Sequence, residues 1–385
     1  LISPESFLLS LQKHDIAFFA GVPDSLLKEF LSELSQKASY ESHFICANEG
    51  NAVALAAGYH LSTRKLPLVY MQNSGLGNSV NPLMSLCHKQ VYSIPMLLLI
   101  GWRGEPGESD EPQHVAMGSI TPQLLEQMQI NYYKLDCDSK IDDLIAKASQ
   151  EALERNVPVA LLCRKDAFAK AGKSEAPPSQ LKLTRQTAIA NVLRAAPETV
   201  TVCNTGFTAR EVFGQRDQAG TVHTNDFLNA GAMGHASQIA LGMACGNPSK
   251  QFICFDGDGA MIMHLGGLAL IGPRAPANLT HILLNNGVHD SVGAQPTAGF
   301  AIDLTEIARA CGYPKVDRCD NVEQLEKLIS EHLSCGTLSF LEIRVCPGSS
   351  DKLPRPPQDF TKQKLQFMEN LLGEPEEASK NKFKE

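Results

Sequence analysis

Short, continuous apolar runs alternate along the chain with longer segments whose apolar residues recur every three or four positions. "IAFFAGVP" (16–23), "TVTVCNTG" (199–206), 252–255 and 281–284 are runs of the first kind, each ending in turn or polar residues. Such runs predict strands buried on both faces, and the periodic segments between them predict helices. Ser3 and Pro4 ahead of "ESFLLSLQKHD", and Thr184 ahead of "RQTAIANVLRAAP", are helix starts, and each helix leads into one of these strands. The plan then repeats. "NEGNAVALAAGYHLSTRKLPLVYMQNSG" (48–75) and "AMGHASQIALGMACGNPSKQFICFDGDG" (232–259) are both a small-residue helix, a turn, an apolar strand and a glycine-rich exit. Strands alternating with helices make parallel sheets covered on both faces, so the pattern predicts a duplicated α/β fold with no middle domain. Its ligands are expected at the carboxyl ends of the strands. The expected limits are a first domain at 1–172, a polar, proline-rich linker at 173–183, and a second domain at 184–350. A segment at 351–385 follows, with an amphipathic helix in "DFTKQKLQFMENLL" and a disordered end.

Composition narrows the role. A chain of 385 residues, 43% apolar, can bury two ordinary cores. Its 34 basic and 42 acidic residues give a net charge of −8, without the basic tract that nucleic acid or an anionic membrane requires. No apolar run approaches the ~18 residues of a membrane span. The opening reads as a capped amphipathic helix and not as a signal peptide. A cytoplasmic protein is expected, although the missing initiator Met is compatible with a removed organellar leader. The 11 cysteines are odd in number and scattered, with no Cys-x-x-Cys; several, such as Cys163 and Cys254, sit in apolar runs and read as reduced core thiols.

Two stretches carry chemistry. In "ICANEGNAVALAAGYH" a single carboxylate, Glu49, opens a helix rich in alanine and glycine. A helix-start acid at the positive dipole end explains that in most proteins. In "QFICFDGDGAMIMHLGGLALIGPRAPANLTHILLNNGVHD", Gly257-Asp258-Gly259 ends one apolar strand and Asn285-Asn286, after 25 intervening residues, ends the next. Glycines flanking Asp258 let backbone amides approach a phosphate, and a carboxylate with an amide oxygen are hard ligands suited to magnesium. A dinucleotide site in "SGLGNSVN" is the weaker alternative, because its Gly75-x-Gly77 lacks the third glycine and a suitably spaced acid.

The Gly-Asp-Gly and Asn-Asn pair resembles the signature of thiamine-diphosphate enzymes. That resemblance implies metal binding by Asp258, Asn286 and the carbonyl of Val288, with Gly257, Gly259 and Ala260 against the diphosphate. It implies that Glu49 hydrogen-bonds the aminopyrimidine nitrogen and so promotes the tautomer that deprotonates the thiazolium carbon. Met233, bracketed by Gly231 and Gly234 in "NAGAMGHAS", matches the residue that bends the cofactor. Thr205 and Gly206 in "CNTGFTARE" resemble its pyrimidine loop.

Two-domain length, "AGVPDSLLKEF", "WRGEPGESDEPQHVAMGSITPQLLE" and "NNGVHDSVGAQPT" closely resemble the phosphonopyruvate decarboxylase family over about residues 1–350. The resemblance implies decarboxylation of a small anionic 2-keto acid to phosphonoacetaldehyde and carbon dioxide in phosphonate biosynthesis, with thiamine diphosphate and Mg2+. Asp24 and His114 resemble the acid and imidazole that keto-acid decarboxylases use, although Asp24 read alone equally suits a helix cap. Related enzymes carry a Glu after the Asn-Asn strand; here "GVHDSVG" offers His289 or Asp290 instead. Arg103 is the candidate for the phosphonate, since a guanidinium grips two oxygens. Sulfopyruvate decarboxylase is the nearest alternative, and a non-catalytic ThDP-binding regulator or scaffold is the alternative of another class. The expected assembly is a homodimer or higher homo-oligomer with active sites shared between chains.

Overall fold

The computed structural model describes residues 1–170, 179–349 and 353–373. The expected linker at 173–183 therefore falls largely outside the described residues, as do 350–352 and everything after Gly373. The chain divides into two units, Leu1–Ala176 with His289–Thr297, and Pro177–Val288 with Ala298–Glu385.

In the first unit six strands form one sheet: β1 (Phe19–Gly21), β2 (His43–Ile45), β3 (Leu68–Gln72), β4 (Leu97–Gly101), β5 (Asn131–Leu135) and β6 (Val159–Cys163). Every pairing is parallel, in the order β2-β1-β3-β4-β6-β5. The alternation of side chains along a strand sends Tyr70 and Leu99 to one face, where Phe7 and Phe30 cover them. Val69, Met71 and Leu98 go to the other, against Ala52, Val53 and Ala56 of the helix Glu49–Thr63. Both faces are apolar because both are covered, and for that reason these strands read as unbroken hydrophobic runs.

The second unit has β7 (Val200–Cys203), β8 (Asp226–Leu228), β9 (Phe252–Gly257) and β10 (Leu279–Asn285). In chain order a two-residue ladder follows, β11 (Val288–His289) and β12 (Gln295–Pro296), which apart from Val288 belongs to the first unit, and then β13 (Lys315–Cys319) and β14 (Ser339–Arg344) complete the second unit. Its six-stranded sheet is parallel, in the order β13-β14-β10-β9-β7-β8. Taken from the β8 edge, the strands run second, first, third, fourth, sixth, fifth, which is the order in the first unit. The duplicated α/β plan is therefore present in the topology and not only in the sequence pattern.

Local signals act as the sequence predicts. Ser3 accepts the Ser6 N–H at the start of helix Pro4–Lys13, and Thr184 accepts the Thr187 N–H at the start of Arg185–Ala195. The amphipathic stretch near the end is a helix, Phe360–Leu372, capped by Asp359. It buries Phe367 edge-on against Phe227 of the second unit. Among the described residues no helix is long and apolar enough to cross a membrane.

Candidate active site

In the first unit, the loops after β1, β2, β3 and β4 leave the same edge of the sheet from four adjacent strands. Glu49 is the first residue of the helix after β2; Asn48 caps it by accepting the Asn51 N–H. Glu49 as a residue is only 5% exposed. Its Oε2 accepts from Asn78 Nδ2 at 2.7 Å, and Oε1 accepts nothing among the described residues. Gly75 backs this carboxylate so closely that any side chain there would collide with Oε1. The glycine of the dinucleotide-like stretch thus makes room for an acid.

Asp24 follows β1 and is fully buried. Its Oδ2 accepts the Leu26 N–H at 2.9 Å, while Oδ1 has no hydrogen-bond partner. The helix itself begins at Lys28 with Leu27 as its cap residue, so Asp24 closes the turn before the helix. Burial raises its pKa to about 6, against the opposing pull of Arg103 and of the Ser25, Leu26 and Leu27 amides. Gly101, at the end of β4, packs directly on Asp24 Oδ2 and could carry no side chain.

Arg103 lies two residues beyond β4. Its Nε donates to Asp110 Oδ2 at 2.8 Å, its Nη2 to Asp110 Oδ1, and its Nη1 to Ser25 Oγ at 2.7 Å. Asn73 holds the Arg103 backbone from both sides, donating to the carbonyl at 2.8 Å and accepting the N–H at 3.2 Å. His114 sits in the first turn of helix Pro112–Gln127, close enough to feel both Arg103 and Asp110. Burial, reinforced by Arg103, lowers its pKa to about 4, so its imidazole is neutral near pH 7.

In the second unit, β7, β9 and β10 are neighbours and the candidate residues occupy their carboxyl ends. Asp258 is the first residue of helix Asp258–Met263, with Gly257 as the cap position, and is 3% exposed. Gly257 pairs with Leu284 in the ladder, which brings Asp258 and Asn286 to the ends of adjacent strands. Asn286 is buried and its Oδ1 accepts the Val288 N–H at 3.2 Å. Gly299 backs Asp258 Oδ2 at 2.5 Å from where a Cβ would stand. The first turn of a helix leaves backbone N–H groups without intrahelical partners, here at Gly259 and Ala260.

Thr205 and Gly206 follow β7, and Gly206 has φ +82° at the start of helix Phe207–Ala219. Thr205 Oγ1 donates to the Ala230 carbonyl at 2.9 Å, tying this loop to the one carrying Met233. Met233 is half-buried rather than a core methionine. Gly234, at φ +80°, packs against His264 and the Ala260 carbonyl, holding Met233 beside the helix at 258–263. The segment with His289 and Asp290 belongs to the first unit. Burial lowers the His289 pKa to about 4.

Several contributors were not apparent from sequence. Asn78 fixes Glu49, and Asn229 builds the Met233 loop by accepting the Ala232 N–H at 3.0 Å and donating to its carbonyl at 2.7 Å. Asn204 packs its amide on Gly257, with Oδ1 buried and unpartnered. Asp256 Oδ1 accepts the Gly257 N–H at 2.9 Å and steadies the turn from inside the sheet. Its other oxygen lies 3.6 Å from His281 Nε2, beside Cys254. For Asn204 and Asn229 an asparagine at the end of an apolar run was the one available signal, and it does not single them out.

Comparison with known proteins identifies the family. Residues 5–130 match the thiamine pyrophosphate enzyme N-terminal TPP binding domain, and residues 202–343 match the C-terminal TPP binding domain. The chain belongs to the thiamine pyrophosphate enzyme family. It is 33% identical to a phosphonopyruvate decarboxylase of Streptomyces viridochromogenes, over 92% of this chain and 91% of that one. A phosphonopyruvate decarboxylase of Streptomyces hygroscopicus is 34% identical over 92% and 90%. A sulfopyruvate decarboxylase of Methanosarcina acetivorans is 29% identical over 96% and 98%.

The residues present suit the cofactor of this family. At the first unit's sheet edge stands a buried carboxylate with one oxygen uncommitted, in a niche widened by Gly75. The second unit's edge offers a carboxylate, an amide and first-turn backbone N–H groups, with the orphaned Asn204 Oδ1 beside them.

Proposed function

We propose that this enzyme converts 3-phosphonopyruvate to phosphonoacetaldehyde and carbon dioxide, using thiamine diphosphate and Mg2+. The observation that carries the reading is full-length likeness to two phosphonopyruvate decarboxylases, at 33% and 34% identity, in a chain whose Arg103 stands beside Asp24. Those relatives make the chain a carboxy-lyase of the family; the substrate and the metal are the finer part of the proposal.

Thiamine diphosphate, when bound, supplies the electron sink for the pair left behind as carbon dioxide departs. Asp258, the Asn286 side chain and the Val288 carbonyl would hold Mg2+, and Gly257, Gly259 and Ala260 would line the diphosphate. Met233, with Thr205 and Gly206, would set the cofactor's bend and pyrimidine contact. Glu49 would hold a proton against the pyrimidine nitrogen through Oε1, the oxygen that Asn78 leaves unoccupied. Asp24 keeps a proton unusually close to neutral pH because ionising it inside the protein is costly. Its acid hydrogen is best placed on Oδ1, since Oδ2 already accepts an amide. That makes Asp24 the group suited to protonate the product carbon. His114 and His289, both neutral, can orient substrate by hydrogen bonds but bring no positive charge; Asp290 is retained as an alternative acid. Arg103 is the cation for the substrate's far end. The assembly proposed is a homo-oligomer in which active sites are shared between chains.

A second reading, sulfopyruvate decarboxylation, is favoured by the relative that spans 98% of its own length at 29% identity. Carbon dioxide release from phosphonopyruvate, sulfopyruvate and pyruvate, with both cofactors supplied, decides between them. The expected kcat/KM for phosphonopyruvate exceeds that for pyruvate roughly a hundredfold, because an unfilled anion site leaves polar groups unpaired. Equal efficiency on the two would overturn the substrate assignment.

A further inference from the structure

The substrate reading makes Arg103 the anion-binding residue; what holds that residue ready is a separate question, and the structure answers it within one unit. Trp102 Nε1 donates to the Gly118 carbonyl at 2.8 Å, and Gly104, at φ +69°, meets the His114 backbone with no room for a side chain. With Asn73 on the Arg103 peptide groups, the backbone is fixed before and after the residue. The side chain is fixed as well. Asp110 takes the Nε and Nη2 edge, Ser25 takes Nη1, and the Arg103 and Asp110 side chains are 17% and 14% exposed.

Counting donors shows what remains. Those bonds use the Nε–H, one N–H of Nη2 and one of Nη1. The second N–H of each terminal nitrogen has no partner among the described residues, and these two donors are the fork left to an incoming acceptor. A tetrahedral oxyanion fits that fork by two parallel hydrogen bonds. Asp110 is itself committed: it also accepts the Gly104 N–H at 2.8 Å and the Glu111 N–H at 2.7 Å, so it is not displaced when an anion arrives.

We infer that Asp110, with Ser25, is a positioning residue for substrate selection: it locks Arg103 so that only its two remaining N–H groups are presented to a phosphonate or sulfonate group. The rotamer entropy of a long side chain is thereby lost on folding and not on binding. The Asp110 carboxylate also balances the Arg103 charge, so the fork recognises oxyanion geometry more than charge alone. This rests on the substrate reading for the natural ligand, but the fork can be probed without it.

Methylphosphonate, the anionic end alone, is titrated into the cofactor-loaded enzyme by calorimetry. The same proteins are assayed on phosphonopyruvate, sulfopyruvate and pyruvate. Asp110→Asn is expected to weaken methylphosphonate binding and raise the KM of both tetrahedral-anion substrates roughly tenfold or more, with kcat falling much less. The ratio of kcat/KM for phosphonopyruvate over pyruvate should fall accordingly. Ser25→Ala, which leaves the loop bonds of Asp110 intact, should shift the same quantities in the same direction by less, and it decides the matter if Asp110→Asn does not fold. A proportional loss on all three substrates would mean that Asp110 merely holds the loop, and the inference fails. It fails too if Arg103→Ala weakens methylphosphonate while neither positioning variant does; the substrate reading then survives. A wild type that prefers pyruvate sinks the substrate reading, whereas methylphosphonate binding that depends on Asp110 would still uphold the lock.

Discussion

At the scale of single residues, Asp24 and Glu49, both buried acids of the first unit, lead to different expectations. Asp24 is raised from 3.8 to about 6 by burial, with Arg103 pulling the other way and Cys163 close by. The linkage to stability follows in sign. Below about pH 4 the carboxyl is protonated in folded and unfolded chains alike and costs nothing. Between pH 4 and 6 the unfolded chain ionises freely while the folded one resists, so stability falls as pH rises through that window. Above it the cost is constant at about 3 kcal/mol, two pKa units at 1.36 kcal/mol each. Asp24→Asn is therefore expected to lose decarboxylation while gaining stability relative to wild type, the gain growing from pH 4 to 6 and then levelling. Urea unfolding of both proteins across that range checks it, and parallel profiles would remove the shifted Asp24 from the account. Glu49 predicts a different split. Glu49→Gln keeps the Asn78 contact within reach and should bind thiamine diphosphate, yet hydrogen–deuterium exchange at the thiazolium carbon should slow by orders of magnitude. Exchange at the wild-type rate would strip Glu49 of its role.

At the scale of elements, the junctions between strand ends and helices are made by glycines that touch polar groups. Gly75 meets Glu49, Gly101 meets Asp24, and Gly118 in helix Pro112–Gln127 meets the backbone of Gly104 and Arg103. Gly118→Ala would drive a methyl group into the Gly104 carbonyl, with no flexible side chain to yield. It is expected to destabilise the unit by about 1–3 kcal/mol and to raise the KM for phosphonopyruvate by shifting the turn under Arg103. Gly58→Ala, in helix Glu49–Thr63, is the control, because nothing lies within 4 Å of the added Cβ and alanine favours helix. Equal unfolding midpoints in urea for the two variants would deny the junction its importance. These junctions also mark where sequence reading stopped. Strand and helix alternation was legible because strands covered on both faces leave unbroken apolar runs, as at 252–255 and 281–284. Glu49, Asp258 and Asn286 were legible because each ends or follows such a run in a recognisable motif. Asn78 and Asn204 were not, since each acts on a residue that only the fold brings near, and Asn229 was not, since it acts three residues along an irregular loop that carries no motif. The Gly101 contact with Asp24 spans three strands of sequence and leaves no local trace. Arg103 was legible as a cation, but its lock by Asp110 lay seven residues away in a loop without periodicity.

At the scale of the whole molecule, the duplication separates the chemistry: Glu49 stands in one unit and Asp258 in the other. Each unit has its own six-stranded sheet and its own cores. In the roles proposed above, the acid for the pyrimidine and the ligands for a metal fall in different units. The proposed homo-oligomer assembles each active site from the first unit of one chain and the second unit of another, and two-fold symmetry then generates such sites in pairs. This makes a defect in one unit separable from a defect in the other. In a heterodimer of Glu49→Ala with Asp258→Ala, one site collects both defects and its mate has neither. Random mixing gives about half heterodimers, each with one intact site in two, so roughly a quarter of wild-type activity should return. Sites built within one chain would recover nothing, because every site would keep one defect. The two variants, each inactive alone, are to be coexpressed with different affinity tags so that the doubly tagged dimer can be isolated and assayed for carbon dioxide release. That dimer, with one intact site in two, should show about half the wild-type activity per chain. Isolated heterodimers without activity would place both halves of the chemistry in a single chain.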